Sequence, residues 1–280
     1  MALLACLLVG WGASAQSVYG DVNGDGIVDI FDVNEVVNEM FYPSPAEPVA
    51  YTVNGVTFYM VPVQVANHKS FSIGQTEVTQ ELWQAVMGSN PSYYQAASQP
   101  SDWPEDWSFF GYEDVPLRPV ECVSWDDCQT FITRLNELTG KTFRLPTEAE
   151  WYYAARGGLV CDFTDYEVRS VAWYYRNSEA VVRQGDNFGL VWHCTREVGQ
   201  LQPNALGLYD MCGNVWEWCQ DWYIECDGVP QNPPITGTER VARGGSINSD
   251  AYQCELDNSG NRSHYVPTET HSDLGLRLAL

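Results

Sequence analysis

Basic residues are scarce in this chain. Lysine and arginine total 14 against 37 aspartates and glutamates, a formal net charge of −23 over 280 residues. A surface of that sign repels phosphate backbones and anionic membranes, which excludes nucleic acid as a partner class. Hard cations such as calcium remain open, because they neutralise carboxylates locally. Long apolar runs are missing too. The opening stretch MALLACLLVGWGASA is too short for a transmembrane helix, and nothing after it could span a bilayer. No Cys-x-x-Cys pair occurs among the nine cysteines, which argues against a zinc ribbon or a thioredoxin-type site. The four histidines, His68, His193, His264 and His271, share no helical spacing that could build a three-histidine iron site.

What is present is a packed-core composition, 45% hydrophobic and 18% charged. The apolar opening ends in Ala13-Ser14-Ala15, small residues that fit signal-peptidase cleavage before Gln16, although a basic flank is missing. Leu3-Leu4-Ala5-Cys6 resembles a lipobox and leaves lipid attachment open as an alternative. Either reading predicts a secreted or cell-surface protein. Eight cysteines then remain, an even number that permits disulfides in an oxidising compartment without fixing their connectivity.

Four segments follow: a signal segment 1–15, a repeat 16–41, a Pro-rich linker 42–50 and a large domain 51–280. In the repeat, DVNGDGIVDIFD puts Asp21, Asn23 and Asp25 at positions one, three and five, with Gly26 at the sharp turn. Ile27 can offer its carbonyl, and Asp29 and Asp32 follow at nine and twelve. Alternating oxygen donors around a glycine turn are what a calcium ion requires. Pro43, Pro45 and Pro48 make the linker stiff and extended.

Three amphipathic helices are legible in the large domain. One starts at Thr79 and stops at Gly88. A second opens with the capping pair Ser124 and Asp127, carries Cys128, Phe131, Ile132, Leu135 and Leu138 as its apolar stripe, and stops at Gly140. The third is capped by Thr147 and Glu150 and ends at Gly157. The rest reads as short strands and long loops, an α+β texture. The aromatic loop from Gln99 to Pro119 is long enough to pack on the core or to bind something.

RLPTEAEWYYAARGG, PNALGLYDMCGNVWEWCQDWY, RVARGGS and DLGLRLAL occur in that order between Arg144 and Leu280. With TEVTQELWQAVMGSNPS and PVECVSWDDC, they resemble the formylglycine-generating enzyme family, the sulfatase-modifying factors. The resemblance implies a loop-rich fold related to C-type lectins. It implies a structural calcium held by Asp210, Gly213, Val215 and Glu217, a set whose alternation also suits a chain bending round a cation. A second calcium site would start at Asn177 and Ser178, but the following QGDNFGLVWHC departs from the pattern. The repeat before the domain resembles a single dockerin repeat, an EF-hand-like loop-helix. That implies cohesin binding or, as a lone repeat, only a calcium-stiffened cap.

Active members of that family bind copper(I) through a Cys-x4-Cys pair just after the GGS turn and turn a substrate cysteine into formylglycine. Here the second cysteine falls on Cys254 and the first on Ser249, and no two cysteines in the chain are five residues apart. A hydroxyl does not replace a thiolate on copper(I), so copper is not expected. Trp216, Ser246 and Arg262 match substrate-groove positions. The expectation is a non-catalytic, calcium-stabilised module binding a protein or glycan through the loop from Ser246 to Ser272, whose polar, Tyr-containing texture resembles a recognition surface. The alternative is a formylglycine-generating oxidase working with Cys254 alone.

Overall fold

The computed structural model describes residues 46–65, 70–95, 107–109, 115–157, 165–184, 187–226, 229–230, 233–254 and 261–280. All belong to one compact unit, Ala46–Leu280. The signal segment, the calcium loop Asp21, Asn23, Asp25, Ile27, Asp29 and Asp32, and residues 42–45 of the linker lie outside the described residues, as does most of the aromatic loop.

The three helices form where their caps dictate. In α1 (Gln80–Met87), Thr79 accepts the Leu82 N–H and Gly88 ends the helix at φ 82°. In α2 (Trp125–Thr139), Ser124 and Asp127 close a reciprocal capping box and Gly140 terminates at φ 66°. In α3 (Glu148–Ala155), Thr147 and Glu150 do the same. Trp83 of α1 stacks on Phe131 of α2 with ring centroids 4.8 Å apart, which joins the two helices in one core. One stripe residue departs from expectation. Leu138 is 52% exposed, because the last turn of α2 runs past the core that buries Cys128, Phe131, Ile132 and Leu135.

The strands are short. β1 (Val49–Val53), β2 (Val56–Val63) and β3 (Phe71–Gly74) make an antiparallel meander. β4 (Trp107–Phe109) belongs to a second sheet with β6 (Glu179–Gln184) and β7 (Asn187–His193). A helix α4 (Asp165–Val171) leads into β5 (Ala172–Trp173), which pairs with β8 (Cys212–Gly213). The sheet that positions the site is mixed. Its centre is β9 (Trp216–Trp222), antiparallel to β10 (Arg240–Arg243) and parallel to β12 (Leu274–Leu276), with β11 (Arg262–Tyr265) outside β10. A single helical turn, α5 (Ala251–Cys254), lies between β10 and β11. Among the described residues no helix is long and apolar enough to cross a membrane. Cys128 and Cys219 are fully buried thiols, pushed above their ordinary ionisation range by burial.

A buried ion pair joins these pieces. Arg277, just after β12, donates from Nε and Nη2 to the Glu217 carboxylate of β9 at 2.7–3.0 Å. Its Nη1 reaches the Gly74 carbonyl of β3 and its Nη2 the Tyr209 carbonyl, both at 2.9 Å. Trp151 of α3 donates its indole N–H to Glu217 Oε2 at 2.6 Å. Arg277→Met leaves a buried carboxylate uncompensated and is expected to cost about 3–5 kcal/mol in urea unfolding. Arg144→Met breaks the half-exposed Arg144–Glu150 pair and should cost about 1 kcal/mol or less.

Candidate functional site

The chain leaves β10 through Gly244 and Gly245, at φ 109° and 77°. A Cβ on Gly245 would lie 2.9 Å from the Gln253 carbonyl oxygen and 3.2 Å from Cys254 Sγ, so a glycine is what lets the loop close over α5. The loop then folds on itself. Ser246 N–H donates to Ser249 Oγ at 2.9 Å, and Ser249 N–H donates back to the Ser246 carbonyl at 3.0 Å. Ser246 Oγ and Asn248 Nδ2 both donate to Asp273 Oδ2, at 2.7 and 3.0 Å. Three neighbours hold the outside of the turn. Ile247 N–H donates to the Asn214 carbonyl, Ser178 Oγ donates to the Ile247 carbonyl, and Tyr175 N–H donates to the Ser249 carbonyl.

Both positions of the family's cysteine pair are therefore inside the protein. Ser249 is 2% exposed and its hydroxyl oxygen is engaged by the Ser246 amide. Cys254 is fully buried in the core that contains Trp151, Tyr174, Met211 and Cys219. This donor set does not fit copper(I): one member is a hard hydroxyl oxygen already holding a turn, and the other faces core side chains. The three groove positions divide. The Trp216 main-chain N–H donates to the Asp273 carbonyl and the Ser246 hydroxyl donates to the Asp273 carboxylate, so these two meet at one residue. Arg262 is elsewhere, across β10. Its Nε and Nη2 donate to Glu148 at 2.6 and 3.1 Å, and Arg243 Nε donates to the same carboxylate at 2.9 Å.

The expected calcium segment is tightly coiled. Asp210, Gly213 and Asn214 all have left-handed φ, of 54°, 80° and 60°. At Gly213 a Cβ would sit 2.2 Å from the Trp173 carbonyl oxygen, so only glycine fits. Asp210 Oδ2 accepts the Gly199 N–H at 2.6 Å, while its buried Oδ1 has no hydrogen-bond partner. Glu217 is taken by Arg277 and Trp151. The sequence reading missed Glu77, whose oxygens accept Asn214 Nδ2 at 2.8 Å and the Val215 N–H at 3.2 Å. No spacing in the sequence relates it to Asp210. Burial pushes the Glu77 carboxyl well up, with the Asp210 and Glu217 charges adding to it. Burial likewise pushes Asp210 up to about 6. Three buried carboxylates thus share one guanidinium. Among the described residues no three His, Cys, Asp or Glu side chains cage a metal by themselves, so a cation here would draw on backbone carbonyls as well. At the second expected site, Asn177 Oδ1 accepts the Tyr174 N–H and its Nδ2 donates to the Ala172 carbonyl, which makes it a turn-former.

Ser249→Ala removes the acceptor of a buried amide. The expected cost is about 1–3 kcal/mol in chemical unfolding, with faster hydrogen exchange at the Ser246 amide.

A family model described as the sulfatase-modifying factor enzyme 1-like domain matches residues 43–280. A chaperone protein LppX of Paenibacillus barcinonensis is 32% identical over 213 residues, 68% of this chain and 74% of that one. The formylglycine-generating enzyme of Streptomyces coelicolor is 36% identical over 190 residues, 59% of this chain and 53% of the enzyme, so the chain spans about half its length. Among solved structures, variable protein 1 of Treponema denticola superposes with a TM-score of 0.65 at 32% identity, covering 83% of this chain and 98% of that one. With its GGS turn, its Glu217–Arg277 centre and the match over residues 43–280, the chain belongs to the sulfatase-modifying factor enzyme 1-like family.

Proposed function

We propose that this is an exported, non-catalytic binding module, which presents the loop from Ser246 to Ser272 to a protein or glycan partner. The observation that carries the reading is the engagement of the Ser249 hydroxyl inside a turn, at the position where an active member needs a thiolate. The same turn fixes a surface around itself. Tyr252 and Tyr175 are about half exposed, and the Tyr175 ring stacks on His193 at 4.1 Å. Fixed aromatic faces with adaptable Asn and Ser groups suit recognition, since little side-chain freedom is lost on binding. Relatives named as a chaperone and as a variable protein support a role outside oxidase chemistry. The second reading is a formylglycine-generating oxidase, favoured by the identity to the Streptomyces enzyme. Incubation with copper(I) and a Cys-x-Pro-x-Arg peptide separates the two. The expected result is an unchanged peptide. Conversion of its cysteine to formylglycine, abolished by Cys254→Ser, would overturn the binding reading.

The module is also proposed to be calcium-stabilised. Asp210 Oδ1 and the Gly213 and Val215 carbonyls would hold the ion near Glu217. A divalent cation would balance the charge of Glu77, Asp210 and Glu217 against the single Arg277. The dockerin-like loop, with Asp21 and Asp25, would hold a second ion and offer a cohesin-binding face. Calcium titration of the full chain is expected to lose one equivalent in Asp25→Ala and the other in Asp210→Asn. Chelation should lower the unfolding temperature of the parent more than that of Asp210→Asn.

A further inference from the structure

Ser178 stands just before β6 and its side chain is completely buried. Its hydroxyl has two neighbours. It donates to the Ile247 carbonyl at 3.1 Å, and it lies 3.1 Å from His193 Nδ1. A hydroxyl carries one proton and a carbonyl can only accept, so that proton goes to Ile247. Toward His193 the serine must then accept, and Nδ1 carries the hydrogen. In the neutral imidazole this leaves Nε2 as a bare acceptor. Nε2 has no partner among the described residues. The serine cannot easily turn away, since its N–H donates to the Tyr174 carbonyl and its own carbonyl accepts the Cys194 N–H.

Tyr175 completes the arrangement. Its N–H donates to the Ser249 carbonyl, so it adjoins the GGS turn. Its ring stacks on His193 at 4.1 Å and 30°, yet the residue is 54% exposed. A step results: an aromatic face open to solvent, with the Nε2 acceptor one ring layer below it. The step discriminates between ligand shapes. A flat donor such as a peptide amide or a guanidinium, lying on the tyrosine, keeps its N–H groups in its own plane and passes above Nε2. A saturated ring can lay its C–H face on the tyrosine and hang a hydroxyl below that plane. The net charge of −23 disfavours acidic ligands.

We propose that Tyr175 and His193 form a subsite for a neutral sugar, whose ring covers Tyr175 while one of its hydroxyls donates to His193 Nε2. Ser178 is the positioning residue that keeps His193 an acceptor. Glu179 stands opposite His193 in the β6–β7 register and offers a second acceptor to the same ligand. This inference rests on the recognition reading and selects a glycan over a protein as the partner.

Nuclear magnetic resonance on the full chain at about pH 8, where an ordinary imidazole is neutral, tests it in two arms. Long-range proton–nitrogen correlation reads the tautomer. His193 is expected to carry its hydrogen on Nδ1 in the parent and to lose that bias in Ser178→Ala. If that variant does not fold, the parent spectrum decides alone, and an Nε2–H tautomer there overturns the proposal. Saturation transfer reads binding, with the methyl glycosides of glucose, galactose, mannose and N-acetylglucosamine as probes. At least one is expected to receive saturation on its ring protons and to shift the Tyr175 and His193 resonances. Tyr175→Ala should abolish that binding. His193→Phe keeps the stack but removes the acceptor, and should weaken it by about 10-fold. No probe bound at Tyr175, or binding that ignores His193→Phe, overturns the subsite. A protein ligand that shields Tyr175 where no sugar does overturns it too, and leaves the recognition reading standing. Formylglycine production in the copper assay would instead remove the recognition reading itself.

Discussion

The Glu217 carboxylate, gripped by Arg277 and Trp151, is the contact on which the rest of the domain depends. Few other side chains here touch so many separate pieces of chain. Through Arg277 it reaches β3 near the start of the domain, the Tyr209 bend in the middle and β12 near the end. Short strands and long loops supply little cooperative backbone structure, so order has to come from such cross-links. Burying a charge is costly unless geometry and hydrogen bonds compensate. Both oxygens of Glu217 and the Nε and both Nη atoms of Arg277 have partners, which meets that condition.

A second buried carboxylate repeats the device on the other side of β10. Glu148 receives Arg243 and Arg262, and its own amide donates to Asp221 at 2.6 Å. Between the two centres the GGS turn has fixed ends, one at Gly245 over Cys254 and one at Asp273.

How far the sequence foretold this depends on the range of each interaction. Helix ends were legible because a cap is decided within four residues, and Thr79, Ser124 and Thr147 cap as expected. The α+β texture and the GGS loop were legible from the motifs. Leu138 misled because helical periodicity shows which face a residue occupies, not where the core stops. Glu77 and Asp273 were invisible as site residues for a single reason. Their partners lie far off in sequence, 137 residues away for the Glu77–Asn214 bond, and no local pattern encodes such a meeting. The groove positions show the same limit: motif order groups Trp216, Ser246 and Arg262, but the fold sends Arg262 to Glu148 and the other two to Asp273.

The buried thiols of Cys128 and Cys219 bear on how the protein can be made. A thiol must ionise to attack a disulfide, and burial holds both of these protonated and out of reach. The finished domain is therefore inert to thiol exchange at these two positions. The nascent chain is not, since the same sulfurs are exposed and ordinary until the core closes. An oxidising compartment can then trap wrong pairings that a reducing cytosol never forms.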